Sequence, residues 1–138
     1  GELKHVRILG PERSATQIEL AQTDCRNIGI KAPVRSSGDT KGTPGVTLRG
    51  PNGTLTVPEG VMIADRHIHM TPAQAAAFGL ADGDRVQVKI DGPKPGVMGG
   101  VLIRANDKCA LDFHIDTDDG NAFLLKQGQL VTVLGKEE

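Results

Sequence analysis

The sequence predicts a mainly β protein organised as small β-barrels with short helices. Three observations carry that expectation: short apolar runs recur along the whole chain, Gly and Pro clusters separate them, and only one segment has the caps and composition of a helix. Eighteen Gly and eight Pro among 138 residues exclude a long-helix bundle or coiled coil. That length holds one compact domain or two small ones sharing a core.

Taken in order, residues 4–9 alternate and are β-branched enough for a strand that ends at Gly10-Pro11. Residues 14–20 read either as a second strand or as a short helix. Ala32-Pro33-Val34-Arg35 is extended, because Pro disfavours α geometry in the residue before it, and Ser36-Ser37-Gly38-Asp39 is a turn or loop. Residues 46–49 and 54–57 form a hairpin with Asn52-Gly53 as its turn. Residues 61–70 are one apolar, strand-like run. The helix follows at 71–80: Thr71 caps it, Pro72 takes the first helical position, Ala fills the interior and Gly79 stops it. Val86, Val88 and Ile90 then alternate with Gln87 and Lys89 in a strand over 85–90. After a loop at 92–96 come strands at 101–105 and 111–116, a turn or cap at Asp119-Gly120-Asn121, and a last strand at 129–134.

Composition excludes whole function classes. With three Phe and no Tyr or Trp, the chain lacks the aromatic platforms that stack single-stranded nucleic acid, so no nucleic-acid partner is expected. No apolar run approaches the roughly 20 residues that span a bilayer, and no membrane partner is expected. Cys25 and Cys109 form neither a disulfide framework nor a CxxC pair; both read as buried small apolar residues in a reducing cytoplasm. Net charge is −1, yet residues 1–50 carry eight Lys/Arg against five Asp/Glu, while residues 51–138 carry eight against twelve. An anionic partner is therefore expected at the first third of the chain.

The sharpest local signal is Asp65-Arg66-His67-Ile68-His69-Met70. Residues i and i+2 of a strand share a face, so His67 and His69 present two imidazoles side by side. Such a pair suits one tetrahedral metal, usually zinc, with further ligands from elsewhere. The bland alternative is two histidines on a solvent face, but the flanking Val61, Met62, Ile63, Ile68 and Met70 mark a buried strand where an unpartnered polar pair is costly. In Leu111-Asp112-Phe113-His114-Ile115-Asp116, His114 alternates with apolar neighbours, and Asp112 and Asp116 share its face as possible orienting acceptors. A histidine hydrogen-bonded in a polar cleft is the alternative there. Three histidines with Glu19 as a candidate carboxylate are consistent with one or two zinc ions, and His5 reads as a surface residue. Arg7, Arg13 and Arg35, with the turn amides of Ser36-Ser37-Gly38, fit a phosphorylated or polyanionic substrate, although exposed loop arginines would look the same. No Gly-X-Ser-X-Gly elbow, P-loop or GxGxxG occurs.

The ordered motifs Arg7-Ile8-Leu9-Gly10-Pro11-Glu12-Arg13-Ser14-Ala15-Thr16-Gln17-Ile18-Glu19, Ala32-Pro33-Val34-Arg35-Ser36-Ser37-Gly38-Asp39, Arg66-His67-Ile68-His69-Met70 and His114-Ile115-Asp116-Thr117-Asp118 together resemble the PduL-type phosphate propanoyltransferase family, the phosphotransacylases of bacterial microcompartments. The resemblance covers essentially the whole chain. It implies two β-barrel domains, here 1–58 and 59–138, and reversible transfer of a propanoyl or acetyl group between coenzyme A and phosphate. It implies Glu19, His67, His69 and His114 as metal ligands, with Glu19 shared between two zinc ions in the intact family; a single ion is the alternative for this chain. Arg13 is implied as the catalytic, phosphate-binding arginine with Ser37 beside it, and Arg7, Leu9, His114 and Asn121 as the coenzyme A side. A homo-oligomer in a microcompartment lumen or the cytoplasm is implied as well.

Two departures from the family pattern stand out. The family has an earlier His-X-His strand that helps hold the second zinc. This chain begins after that place, at Gly1 and without Met, so it reads as a fragment whose missing segment is lost or separate, and the short targeting helix is not in it either. Asp118-Asp119-Gly120-Asn121 also stands where Glu-Ala is expected before the Asn. The expected mechanism is direct transfer with no covalent acyl-enzyme: Arg13 holds phosphate while zinc polarises the thioester. Two rivals are a zinc-dependent hydrolase and a non-catalytic cofactor-binding module. The second arises because residues 71–86 are similar to double-psi-type barrels that bind molybdopterin cofactors.

Overall fold

A computed structural model describes all 138 residues, which divide into two compact units, Gly1–Ala64 and Asp65–Glu138. The fold is mainly β with three short helices. No helix is long and apolar enough to cross a membrane.

In the first unit β1 (Ile18–Glu19) and β2 (Val34–Arg35) flank β5 (Val61–Ala64), both pairing with it in parallel, Ile18 opposite Val61 and Val34 opposite Ile63. Between β1 and β2 runs α1 (Gln22–Ile28), which carries Cys25 into a small core with Leu20 and Val61. Gly29 ends α1 in the left-handed region (φ 78°), and the Ile30 N–H closes the cap on the Cys25 carbonyl at 2.9 Å. A separate hairpin pairs β3 (Val46–Gly50) with β4 (Gly53–Val57). Its two turn residues are Pro51 and Asn52, not Asn52 and Gly53: Gly50 faces Gly53 across the ladder, and Pro supplies the first turn dihedral. Gly60 is confined to glycine twice over, by its φ of 137° and because a Cβ there would lie 2.5 Å from the Thr16 carbonyl oxygen.

The second unit is one five-stranded sheet in the order β10-β7-β8-β6-β9, formed by β6 (His67–Met70), β7 (Arg85–Ile90), β8 (Gly96–Ala105), β9 (Asp112–His114) and β10 (Thr132–Lys136). β6 is an interior strand, parallel to β8 and antiparallel to β9. One face of the sheet is apolar: Ile68, Met70, Val86, Val88, Ile90, Val101 and Ile103 are buried together, and α2 (Pro72–Ala77) adds Ala75 to them. The expected cap of α2 is present in full. Thr71 Oγ1 accepts from the Gln74 N–H, and the Gln74 side chain accepts from the Thr71 N–H. Replacing Ile103 by Ala, which empties a fully buried position, is expected to destabilise this unit by about 2–5 kcal/mol. Chemical denaturation would read that loss, and a change below about 1 kcal/mol would contradict the packing.

Several expectations are corrected. Residues 4–9 form no strand; they pair with no other strand, and Ile8 and Leu9 are largely exposed. A strand's backbone donors and acceptors need a partner ladder, which alternation alone does not provide. The run 61–70 is two strands, since Asp65-Arg66 interrupts it where the first unit gives way to the second. Residues 18–19 resolve the ambiguity of 14–20 in favour of a strand, and the helix α1 comes just after it. The turn foreseen at 119–121 is the body of α3 (Thr117–Ala122), whose N-cap Asp116 accepts from the Asp119 N–H at 2.8 Å. None of the three sheets closes on itself, so a pair of closed barrels is not what the strand pairing displays.

Candidate metal centre

Alternation along β6 decides where its histidines go. Ile68 and Met70 take the buried face, so His67 and His69 share the other, half-buried one. The antiparallel β6–β9 register sets His114 directly opposite His67 and Asp112 opposite His69. Three imidazoles from two strands thus converge, with ring centroids 4.7 to 5.1 Å apart. One ligand nitrogen from each lies within 4.8 Å of the others, a group that could hold a metal ion.

The donor set fits such an ion. His67 Nε2 and His69 Nε2 stand 3.1 Å apart, close to the roughly 3.3 Å between two nitrogens bound at about 2.0–2.1 Å to one tetrahedral zinc. His67 Nδ1 donates to the Asp65 carbonyl at 2.7 Å. A carbonyl oxygen only accepts, so the His67 proton sits on Nδ1 and the lone pair on Nε2. Asp65 is itself held, its carboxylate accepting from Arg85 at 2.7 Å. His114 Nε2 donates to Asp112 Oδ2 at 3.1 Å, which leaves Nδ1 as the nitrogen with the lone pair.

The electrostatics favour a neutral ring at His69. Burial first, then the neighbouring charges of His67, His114 and Arg104, holds His69 below the ordinary histidine pKa, against a smaller opposing effect of Asp112. A histidine with a depressed folded-state value binds fewer protons folded than unfolded. Its contribution to stability is therefore complete above the unfolded value of about 6.5 and is lost as pH falls below it. The chelated chain is expected to melt at a lower temperature at about pH 5.5 than at about pH 7.5, by a margin that His69→Ala reduces. An identical pH dependence in that variant would contradict this assignment.

Two residues of this face escape a reading of the sequence. Arg104 of β8 stands beside His69 in register and puts a guanidinium next to the imidazoles; a lone charge in the apolar run Val101-Leu102-Ile103-Arg104 was the available signal. Cys109, expected to be buried and inert, is half-buried and places its Sγ 3.2 Å from His69 Nδ1. Nothing in its own neighbourhood announces this, because the approach comes from a turn and not from a strand alternation. Cys25, by contrast, is fully buried as expected.

The remaining expected site residues lie in the first unit, apart from Asn121. Glu19 is exposed on β1 and accepts from Gln17 Nε2 at 2.8 Å. The same Gln17 nitrogen donates to Ser37 Oγ at 2.8 Å, and Gln17 Oε1 accepts from the Gly38 N–H at 2.9 Å. Gln17 therefore ties the carboxylate to the 36–39 turn, a role legible only as the i, i+2 partner of Glu19. Arg35 is paired with Asp39 at 3.0 Å. Arg7, Leu9 and Arg13 lie on exposed irregular chain, and His5 is exposed as expected. In the second unit Asn121 lines a cavity of about 710 Å³ with Ile68, Phe113, Ile115, Leu125 and Val133, which His114 does not line.

The chain can now be compared with known proteins. The family model described as phosphate propanoyltransferase matches residues 1–126. The chain belongs to that family. It is 46% identical over 135 residues to a phosphate propanoyltransferase of Thermotoga maritima, covering 97% of this chain and 64% of the relative. It is 45% identical over 132 residues to one from Lachnoclostridium phytofermentans (96% of this chain, 62% of the relative). Against that of Salmonella typhimurium it is 48% identical over 123 residues (88% and 59%). The chain thus spans about three-fifths of the length of these curated relatives. Asp119, in the segment expected to depart from the family pattern, pairs with Arg66 at 3.0 Å. Burial, the leading influence, raises the Asp119 pKa against the pull of Arg66.

Proposed function

We propose that this chain takes part in phosphate acyl transfer, moving a propanoyl or acetyl group between coenzyme A and phosphate at a zinc ion held by His67, His69 and His114, with Glu19 as carboxylate ligand. The convergence of three histidine ligand nitrogens within 4.8 Å, in a chain of the phosphate propanoyltransferase family, is the observation that carries this reading. When bound, zinc supplies Lewis-acid polarisation of a carbonyl or phosphoryl oxygen.

The chain's own residues do the rest. Arg13, exposed, binds two phosphate oxygens, and Ser37 Oγ adds a donor. Arg104 keeps positive potential beside His69, where an anionic substrate arrives. Arg7, Leu9, His114 and Asn121 receive coenzyme A. A phosphate oxygen attacks the thioester carbonyl carbon, the carbon–sulfur bond breaks, and coenzyme A leaves as a thiolate that takes a proton from solvent. The transfer is direct and passes through no acyl-enzyme, because the phosphate oxygen is itself the group that attacks the thioester. Two small barrel-like domains, the second built around the five-stranded sheet, belong to the same proposal. A homo-oligomer working in a microcompartment lumen or the cytoplasm completes the proposal.

The test is thiol release from propanoyl-CoA by the zinc-loaded chain, with hydroxylamine trapping of acyl phosphate. Release that requires phosphate and yields the hydroxamate is expected. Release without phosphate would replace the transferase by a zinc hydrolase, and no release with retained cofactor binding would favour a binding module.

A further inference from the structure

We propose that Cys109 is a positioning residue of the metal centre, its sulfur holding His69 Nδ1 so that Nε2 is the nitrogen offered to the ion. The inference rests on the metal reading above and adds to it a residue outside the ligand set.

The two strand histidines are held in matching ways. His67 is pinned at Nδ1 by the Asp65 carbonyl, and His69 is pinned at Nδ1 by Cys109 Sγ at 3.2 Å. Their Nε2 atoms then face each other at 3.1 Å. With Nε2 committed to a cation, His69 Nδ1 carries the proton and donates it to the sulfur. Cys109 approaches the Nδ1 edge of the ring, whereas His67 approaches the Nε2 edge, so the sulfur is not placed to share the ion those Nε2 atoms bind.

The position of the sulfur is built into the fold. Cys109 closes a turn by donating its N–H to the Asn106 carbonyl at 3.2 Å, and the Lys108 N–H donates to Asn106 Oδ1 at 2.8 Å. Asn106 in turn donates its N–H to the carbonyl of Met70, the last residue of β6, at 3.1 Å. The turn is therefore anchored to the strand that carries His69, and strand, turn and sulfur keep one geometry. An outer partner of a metal-bound histidine fixes ring orientation and raises ligand basicity, and its loss costs about 10–100-fold in metal affinity.

Cobalt(II) titration of the full chain, in competition with a chromophoric chelator, tests this. Wild type is expected to bind cobalt with no sulfur-to-cobalt charge-transfer band. Cys109→Ala should bind about 10–100-fold more weakly, and Cys109→Ser should recover most of that, because a hydroxyl still accepts from Nδ1–H. All three should melt alike when chelated, which separates positioning from folding. Equal affinity in wild type and Cys109→Ala would overturn the proposal while leaving the metal centre standing. A charge-transfer band in wild type would overturn it by making Cys109 a ligand. Failure of wild type to bind cobalt at all would overturn the metal reading and this inference together.

Discussion

His69→Ala is expected to strip the metal from the second unit and to lower phosphate-dependent thiol release by at least about a hundredfold, since even an outer partner of a ligand costs 10–100-fold. The fold should survive. His69 projects from the half-buried face of β6, and the core on the other face, from Ile68 and Met70 to Val101 and Ile103, does not involve it. Removing one ring also relieves the crowding of three imidazoles and Arg104, so the chelated variant should melt no lower than chelated wild type at acidic pH. Metal content, thiol release and thermal melting measured on one preparation separate these effects. Full metal retention in the variant would remove His69 from the ligand set.

Arg13→Ala is expected to act on the other reactant. Arg13 sits on exposed chain and contributes nothing to either core, so stability and metal content should be unchanged. A group that holds developing or resident charge on the reacting phosphate is worth about 10²–10³ in turnover. Arg13→Lys should recover only part of it, because an ammonium cannot match two phosphate oxygens with a planar fork. The informative measurement is thiol release against phosphate concentration. Unchanged turnover in Arg13→Ala, at any phosphate concentration, would place phosphate elsewhere.

What the sequence disclosed followed from strict local rules. The β7 alternation, the Thr71–Gln74 capping box and the paired faces of His67 and His69 each depend on residues two to four apart, and all three are present in the structure. The approach of His114 was legible too, as far as its alternation with Phe113 placed it on a polar face; its pairing with His67 is a matter of strand register, which no local pattern contains. The break inside 61–70 was hidden because both halves are apolar, while the chain changes units between them. α1 was missed because Ala21 offers no capping side chain, leaving only the weaker signals of Asp24 in the first turn, Arg26 in the last and Gly29 after it. Residues 4–9 misled in the opposite sense, for a strand-like pattern with no partner ladder forms no strand. Cys109 and Gln17 act through the ends of a turn and of a two-residue strand, where placement is decided by tertiary anchoring at Met70 and at the 36–39 turn.

The most direct measurement is the zinc content of the dialysed chain by elemental mass spectrometry, wild type beside His67→Ala, His69→Ala and His114→Ala. The three-histidine centre predicts zinc retained stoichiometrically by wild type and lost from each variant. Wild type retaining no more zinc than the variants would contradict it.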